Sequence, residues 1–287
     1  MKFPQFEYVA PDSVGEAVSL LARSDGAAKI LAGGQSLLPM MAFRLANPEK
    51  LIDIRKLTSL TNVALTPEGT ILGARVRWRD IENDLRLESA NPLLRAAIKH
   101  TAHYQIRNRG TVGGSLAHAD PAAEMPGIAV TCDAEITATG PQGDRVLAAS
   151  DFFLGPLSTQ LRPDELLVHA KLPAWKVGRR WAFQEFARRR GDFAIAGIAV
   201  YYDTDALDRV VDAHVGVIGA CTRPHRVAAA EEALNGRVIN STVVEAASKA
   251  LRHSIEPSGD LHASAEYRQS LAASLLERAL VEASGRT

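Results

Sequence analysis

The sequence predicts an α+β chain in two parts, on three observations. Up to about residue 173, short strand-like runs alternate with helical patterns. From Trp181, three strand-like runs follow one another at short intervals, the pattern of an antiparallel sheet, and only helical patterns come after them. Two paired-glycine stretches, Ala32-Gly33-Gly34-Gln35-Ser36 and Thr111-Val112-Gly113-Gly114-Ser115, organise the first part.

In order, residues 3–10 form an extended lead-in that ends at Pro11-Asp12-Ser13. Ser13 is placed to N-cap a helix through Val14, Ala17, Val18, Leu20 and Leu21; Glu16 gives a capping-box pattern and Gly26 ends the helix. A strand over 28–31 runs into the first glycine stretch. Residues 37–45 begin as a helical turn, with Met40 and Met41 as core filler. A strand is expected at 51–54, and a hairpin from 62–65 and 69–74 about a turn at 67–69. Helices are expected over 78–87 and from Asn91-Pro92 through Ile98, after which residues 105–109 feed the second glycine stretch. Val130, Ala134, Ile136 and Ala138 read as a strand with Asp133 near a turn, Val146-Leu147 as another, and 165–173 as the strand that closes the unit. Residues 175–180, polar and basic, read as a linker or surface turn. The second part has strands over 182–187, 194–202 and 212–219, the first two joined through 188–192. Helices follow over 228–234, 242–251 and 264–283, the last with Leu271, Leu275 and Ala279 on one face.

The chain's 287 residues suffice for one large domain or two ordinary ones, and 46% apolar residues sustain a core. Lys+Arg and Asp+Glu both number 33, so the basic excess of a nucleic-acid binder is missing. Two cysteines, Cys132 and Cys221, are too few for a disulfide framework or for the four thiolates of an iron–sulfur cluster, and they read as inert and buried. There is no apolar h-region behind Met1 and no run of about 18 apolar residues, so neither a signal peptide nor a transmembrane segment is expected; a cytoplasmic protein is. His100, His103 and His118 lack a carboxylate or thiolate cluster at ligand spacing, and no metal is expected. Arg188-Arg189-Arg190 reads either as a basic patch for a partner subunit or as a solvated turn. Asp192 either orients Arg190 or caps that turn.

A double glycine bares two successive amide N–H groups and accepts positive φ without steric cost. Successive bare N–H groups form an anion nest, whose usual tenant is a pyrophosphate. The structural alternative for either pair alone is a tight turn. Two such stretches, each ending in Ser and each followed by Pro (Pro39, Pro121), point instead to one dinucleotide gripped from two sides.

With their flanks, Ala32-Gly33-Gly34-Gln35-Ser36-Leu37-Leu38-Pro39 and Thr111-Val112-Gly113-Gly114-Ser115-Leu116-Ala117-His118-Ala119-Asp120-Pro121 resemble the FAD-binding medium subunits of molybdenum hydroxylases, among them bacterial carbon monoxide dehydrogenase and xanthine dehydrogenase. Gln105-Ile106-Arg107-Asn108, Glu266-Tyr267-Arg268 and Leu276-Glu277-Arg278-Ala279-Leu280 fit too, so the resemblance covers nearly the whole chain. It implies an FAD-binding domain of the vanillyl-alcohol-oxidase (PCMH) type, made of two α/β subdomains, over 1–175. It implies a smaller C-terminal domain, a three-stranded antiparallel sheet with helices, over 178–285, with FAD between the two. By the resemblance, Ala32, Gly33, Gly34, Gln35 and Ser36 together with Thr111, Gly113, Gly114 and Ser115 hold the diphosphate and ribityl chain. Asp120 and Glu124 fall at polar contacts to the adenosine half or ribityl. Phe193 falls near the isoalloxazine, where carbon monoxide dehydrogenases usually carry Tyr; Gln184 falls where some relatives have Lys near the flavin; and Leu167 falls near the ring edge.

The implied function is electron transfer. FAD takes electrons from a small subunit with 2Fe–2S clusters and hands them to an external acceptor, while a large molybdopterin subunit oxidises the substrate, in a dimer of heterotrimers. The redox chemistry belongs to the cofactor, so no catalytic acid, base or nucleophile is expected in this chain. The alternative is a standalone FAD oxidase of the vanillyl-alcohol-oxidase type, with a substrate pocket over the flavin and often a covalent His or Cys link. A flavin-free assembly module would be colourless.

Overall fold

Ser13 starts the first helix as its N-cap, its Oγ accepting from the Glu16 N–H at 3.1 Å. Glu16 closes the cap one residue early, accepting from the Asp12 N–H at 2.9 Å rather than from Ser13. The computed structural model describes residues 3–285. Its first unit holds β1 (Glu7–Val9), α1 (Val14–Arg23), β2 (Ala28–Leu31), α2 (Leu37–Ala42) and β3 (Lys50–Asp53). The strands pair in parallel in the order β1-β3-β2, and Ala17, Val18 and Leu21 of α1 bury against them.

The second unit opens with the expected hairpin, β4 (Val63–Thr66) and β5 (Gly69–Gly73). Helices α3 (Trp78–Asn83), α4 (Leu87–Ala90), α5 (Pro92–Ile98), α6 (Tyr104–Arg107), α7 (Val112–His118) and α8 (Glu124–Thr131) follow. Then come β6 (Glu135–Gly140), β7 (Gly143–Ala148), α9 (Ala149–Phe152), the short pair β8 (Phe153–Gly155) and β9 (Ser158–Thr159), and β10 (Leu166–Pro173). The five-stranded sheet β4-β5-β10-β6-β7 is antiparallel throughout. Leu166 and Val168 of β10 also join the core of the first unit, which locks the two units together.

Two sequence expectations are corrected here, and a third gains a buried side chain. The helix over 78–87 breaks at Asp84, whose carboxylate takes the Arg86 N–H and guanidinium and holds the backbone extended. Val130 lies in a helix, not a strand: all eight residues of α8 are buried, so it lacks the polar face that would have marked it as helical. Residues 175–180 do turn at the surface, with Val177 and Gly178 exposed in the turn, but Trp175 and Arg179 fold inward from it. Trp175 packs edge-on against Tyr201 with ring centroids 5.4 Å apart. Arg179 lies over the Tyr201 ring at 4.3 Å and grips Asp203 through two hydrogen bonds of 2.9 and 3.0 Å. A guanidinium with its stem packed on aromatic faces is buried despite its charge.

The third unit is the antiparallel sheet β11 (Arg180–Phe186), β12 (Ala196–Thr204) and β13 (Val210–Ile218), extended by the two-residue β14 (His225–Arg226). Helices α10 (Ala228–Leu234), α11 (Ser241–Ser254) and α12 (Ala265–Ser284) complete it; Leu275, Leu276, Ala279 and Leu280 of α12 join its core. The unit is keyed to the second one. A Cβ on Gly216 of β13 would lie 1.8 Å from Thr131 Oγ1 of α8, and one on Gly127 of α8 would lie 2.3 Å from Ile218 of β13.

Candidate cofactor site

β2 ends at Leu31, and the chain turns at once into the first glycine stretch. Gly34 has φ +75°, a conformation an L side chain rarely adopts. Gly33 rests on the backbone ahead of the second stretch: a Cβ there would sit 2.3 Å from the Arg109 carbonyl oxygen. Gln35 Nε2 donates to the Gly33 carbonyl at 3.0 Å and keeps the loop in shape. The backbone N–H groups of Gly33, Gly34, Gln35 and Ser36 meet no acceptor among the described residues. Backbone donors in a folded chain are otherwise almost always paired, so this loop presents a row of bare amides.

The second stretch is built differently. Thr111 N-caps α7, its Oγ1 accepting from the Gly114 N–H at 3.1 Å. The amides of Val112 and Gly113 donate to the carbonyls of Val76 and Ala74, both at 2.9 Å, and Ser115 donates to Thr111 at 3.0 Å. The expected pair of bare amides is therefore absent here. Gly113 serves close packing instead, since its Cβ would lie 2.5 Å from that of Ala74. Sequence could not separate the two cases, because a glycine pair in a helical first turn reads like one in a loop.

Both stretches wall a single cavity of about 710 Å³, within the range of roughly 300–1,000 Å³ usual for cofactor clefts. It runs between the first sheet, the second unit and the β11–β12 connection. Of the sequence-predicted residues it gathers Ala32, Gly33, Gly34, Gln35, Ser36, Thr111, Gly113, Gly114, Ser115, Asp120, Glu124, Leu167 and Phe193. Gln184 is not among them; it sits on β11 and donates to Glu282 of α12.

Apolar and acidic side chains share the cavity lining. Leu167 is buried in β10, Phe193 stands 64% exposed at the rim, and Glu124 is buried at the start of α8. Burial raises the Glu124 pKa and the neighbouring Asp120 charge adds to it. Burial also lowers the pKa of His118 on the same wall. Thr101 and Ala102, which also line the cavity, escaped the sequence reading. Arg107 holds them, donating to their carbonyls at 3.2 and 2.8 Å while pairing with Glu82. The signal was there, since Gln105-Ile106-Arg107-Asn108 belongs to the resemblance, but nothing in the sequence said which carbonyls Arg107 takes. Lys29, Leu21 and Arg162 line the cavity as well; no glycine punctuates residues 157–163 to mark them.

Comparison with known proteins agrees with this construction. Residues 4–175 match the FAD binding domain in molybdopterin dehydrogenase, and residues 181–283 match the CO dehydrogenase flavoprotein C-terminal domain. The chain is 40% identical to the nicotine 6-hydroxylase medium subunit of Paenarthrobacter nicotinovorans, over 100% of both chains. It superposes with a TM-score of 0.97 at 38% identity on carbon monoxide dehydrogenase from Hydrogenophaga pseudoflava lacking the Mo-pyranopterin moiety, covering 100% of this chain and 99% of that one. Quinoline 2-oxidoreductase from Pseudomonas putida 86 gives 0.94 at 36% identity, covering 99% of each chain. A bare-amide loop on a cavity of cofactor size, in a fold shared end to end with these proteins, makes the chain a member of the FAD-binding medium subunits of molybdenum hydroxylases.

Proposed function

We propose that the cavity holds one non-covalent FAD, its diphosphate on the free amides of Gly33 to Ser36 and its ring toward Leu167, Glu124 and Phe193. The row of unpaired amides carries this reading, because a diphosphate supplies the acceptors that those donors lack. The flavin, when bound, accepts and releases electrons singly or in pairs. The chain's own part is to bind and orient it: Asp120 and Ser115 offer polar contacts along its length, and Leu167 keeps water from the ring end.

In the full complex, electrons arrive from a small subunit with 2Fe–2S clusters and leave to an external acceptor, and substrate is oxidised on a large molybdopterin subunit. We place this dimer of heterotrimers in the cytoplasm and divide the present chain into 1–175 and 178–285. No described helix is long and apolar enough to cross a membrane.

An absorbance scan of the purified complex tests the reading. Flavin bands that pass into solution on acid precipitation, in a species carrying a smaller and a larger subunit, are expected. Colourless protein that takes up no added FAD overturns it. Gln184→Ala is expected to leave flavin content unchanged, as its side chain points to α12 rather than the cavity; loss of flavin from a folded Gln184→Ala protein would put that residue back at the site.

A further inference from the structure

Behind the cavity wall the fold buries acids that gripping a dinucleotide does not require. Glu124 lines the cavity and is only 6% exposed. Glu185 reaches in from β11 with its side chain 3% exposed, and its Oε2 has no hydrogen-bond partner. Among the described residues, no Arg or Lys forms an ion pair with either carboxyl group. The other oxygen of Glu185 lies 3.9 Å from His100 Nδ1, and the His100 side chain is 43% exposed. His100 at the surface end thus stands next to the buried Glu185, and Glu185 in turn feels the charge of Glu124, which lines the cavity; the three come from the segment after α5, from β11 and from α8.

Two buried carboxylates, one raised by the other's charge and neither paired with a cation, cannot both be ionised. Burial raises the pKa of each, with the Asp120 charge facing Glu124 and the Glu124 charge facing Glu185. The Thr101 hydroxyl also faces Glu124. At the outer end, burial and the charge of Arg190 lower the pKa of His100, so a neutral ring there takes and passes a proton. The wall therefore stores a proton next to a space into which electrons are delivered.

We propose that His100, Glu185 and Glu124 form a proton path from solvent to the cavity, used when the bound flavin is reduced. This rests on the FAD reading above. Two electrons come from the reduced iron–sulfur partner. The O–H bond of the Glu124 carboxyl breaks and its proton passes to the reduced flavin. Glu185 gives its proton to the Glu124 carboxylate, and a solvent proton crosses by way of His100 to Glu185. The flavin gains two electrons and one proton, the 2Fe–2S clusters of the partner lose one electron each in two successive transfers, solvent loses the proton, and the carboxyl pair ends as it began.

The test follows proton uptake with a pH-indicator dye in weakly buffered solution while the flavin of the FAD-loaded complex is reduced, its bleaching being recorded in parallel. In the native complex uptake keeps pace with bleaching. In Glu185→Gln it lags by about tenfold or more, with flavin content and visible spectrum unchanged. His100→Gln, at the exposed end, gives a smaller lag. Uptake that keeps pace in both variants overturns the path. If Glu185→Gln does not fold with its flavin, His100→Gln decides alone, and an unchanged rate there overturns the path. A native complex without flavin instead refutes the underlying FAD reading, so the two failures are distinct.

Discussion

Gly33→Val strips the protein of its flavin. The Cβ that valine brings would sit 2.3 Å from the Arg109 carbonyl oxygen, 2.9 Å from its carbon and 3.0 Å from Gly110 Cα. All three are backbone atoms, so no rotamer change clears the clash; the loop carrying the free amides must move off the segment that leads into α7. Overpacking of this kind costs about 3 kcal/mol, and spent on the cavity wall that is a roughly hundredfold loss of affinity. The flavin-to-protein absorbance ratio of the purified variant measures it, with circular dichroism to show that the fold persists. Gly15→Ala is the control, since a Cβ on Gly15 meets nothing within 4 Å; its flavin content stays at the native level. A folded Gly33→Val protein with a full complement of flavin would mean that the diphosphate lies elsewhere.

Arg179→Ala is expected to cost the most stability. The Arg179 side chain is 7% exposed, shares two hydrogen bonds with Asp203, reaches Asp212 at 3.4 Å and covers Tyr201. Removing it leaves Asp203, 17% exposed at its side chain, with Lys176 as its remaining cation. Breaking such a pair from one side costs about 3 kcal/mol, or roughly 5 °C in thermal midpoint for a chain of this size. The penalty depends on pH in a fixed direction. Hydrogen bonds from Arg179, then from Lys176, hold the Asp203 carboxyl at about 2 against an ordinary 3.8. A depressed pKa contributes stability that is present above the ordinary value and lost as pH falls toward the depressed one. The native protein and the variant therefore differ fully at neutral pH and converge between about pH 4 and pH 2, as thermal melts across that range will show. Equal midpoints at neutral pH would mean that Arg179 clamps nothing.

These two residues also mark what the sequence could and could not say. Gly33 was legible because a glycine pair after a short apolar strand has few uses, and its neighbours reinforced one of them. Arg179 was not, since a basic run reads as solvated until the aromatic faces beneath it, Trp175 and Tyr201, are known to converge from 26 residues apart in the chain. The hairpin at β4 and β5 and the caps at Ser13 and Asn91 follow from local chemistry and were readable. The helix α8 was not, because total burial removes the polar face that periodicity needs. Glu185 was hidden for a related reason. A strand of mixed polarity does not tell which of its acids turns inward, and only the packing of β11 beside α5 and His100 makes one of them a buried acid without a cation.

The interlock of α8 with β13 bears on how the cofactor gets in. Thr131 and Ile218 occupy the room that side chains on Gly216 and Gly127 would need, so the third unit cannot swing away from the second as a hinged door without tearing the core. Insertion has to proceed through the short segments at the rim, around Ala102 and Phe193, or while the chain is still folding. Limited proteolysis should accordingly cut the apoprotein at those rim segments and spare the seam between the helix and the strand.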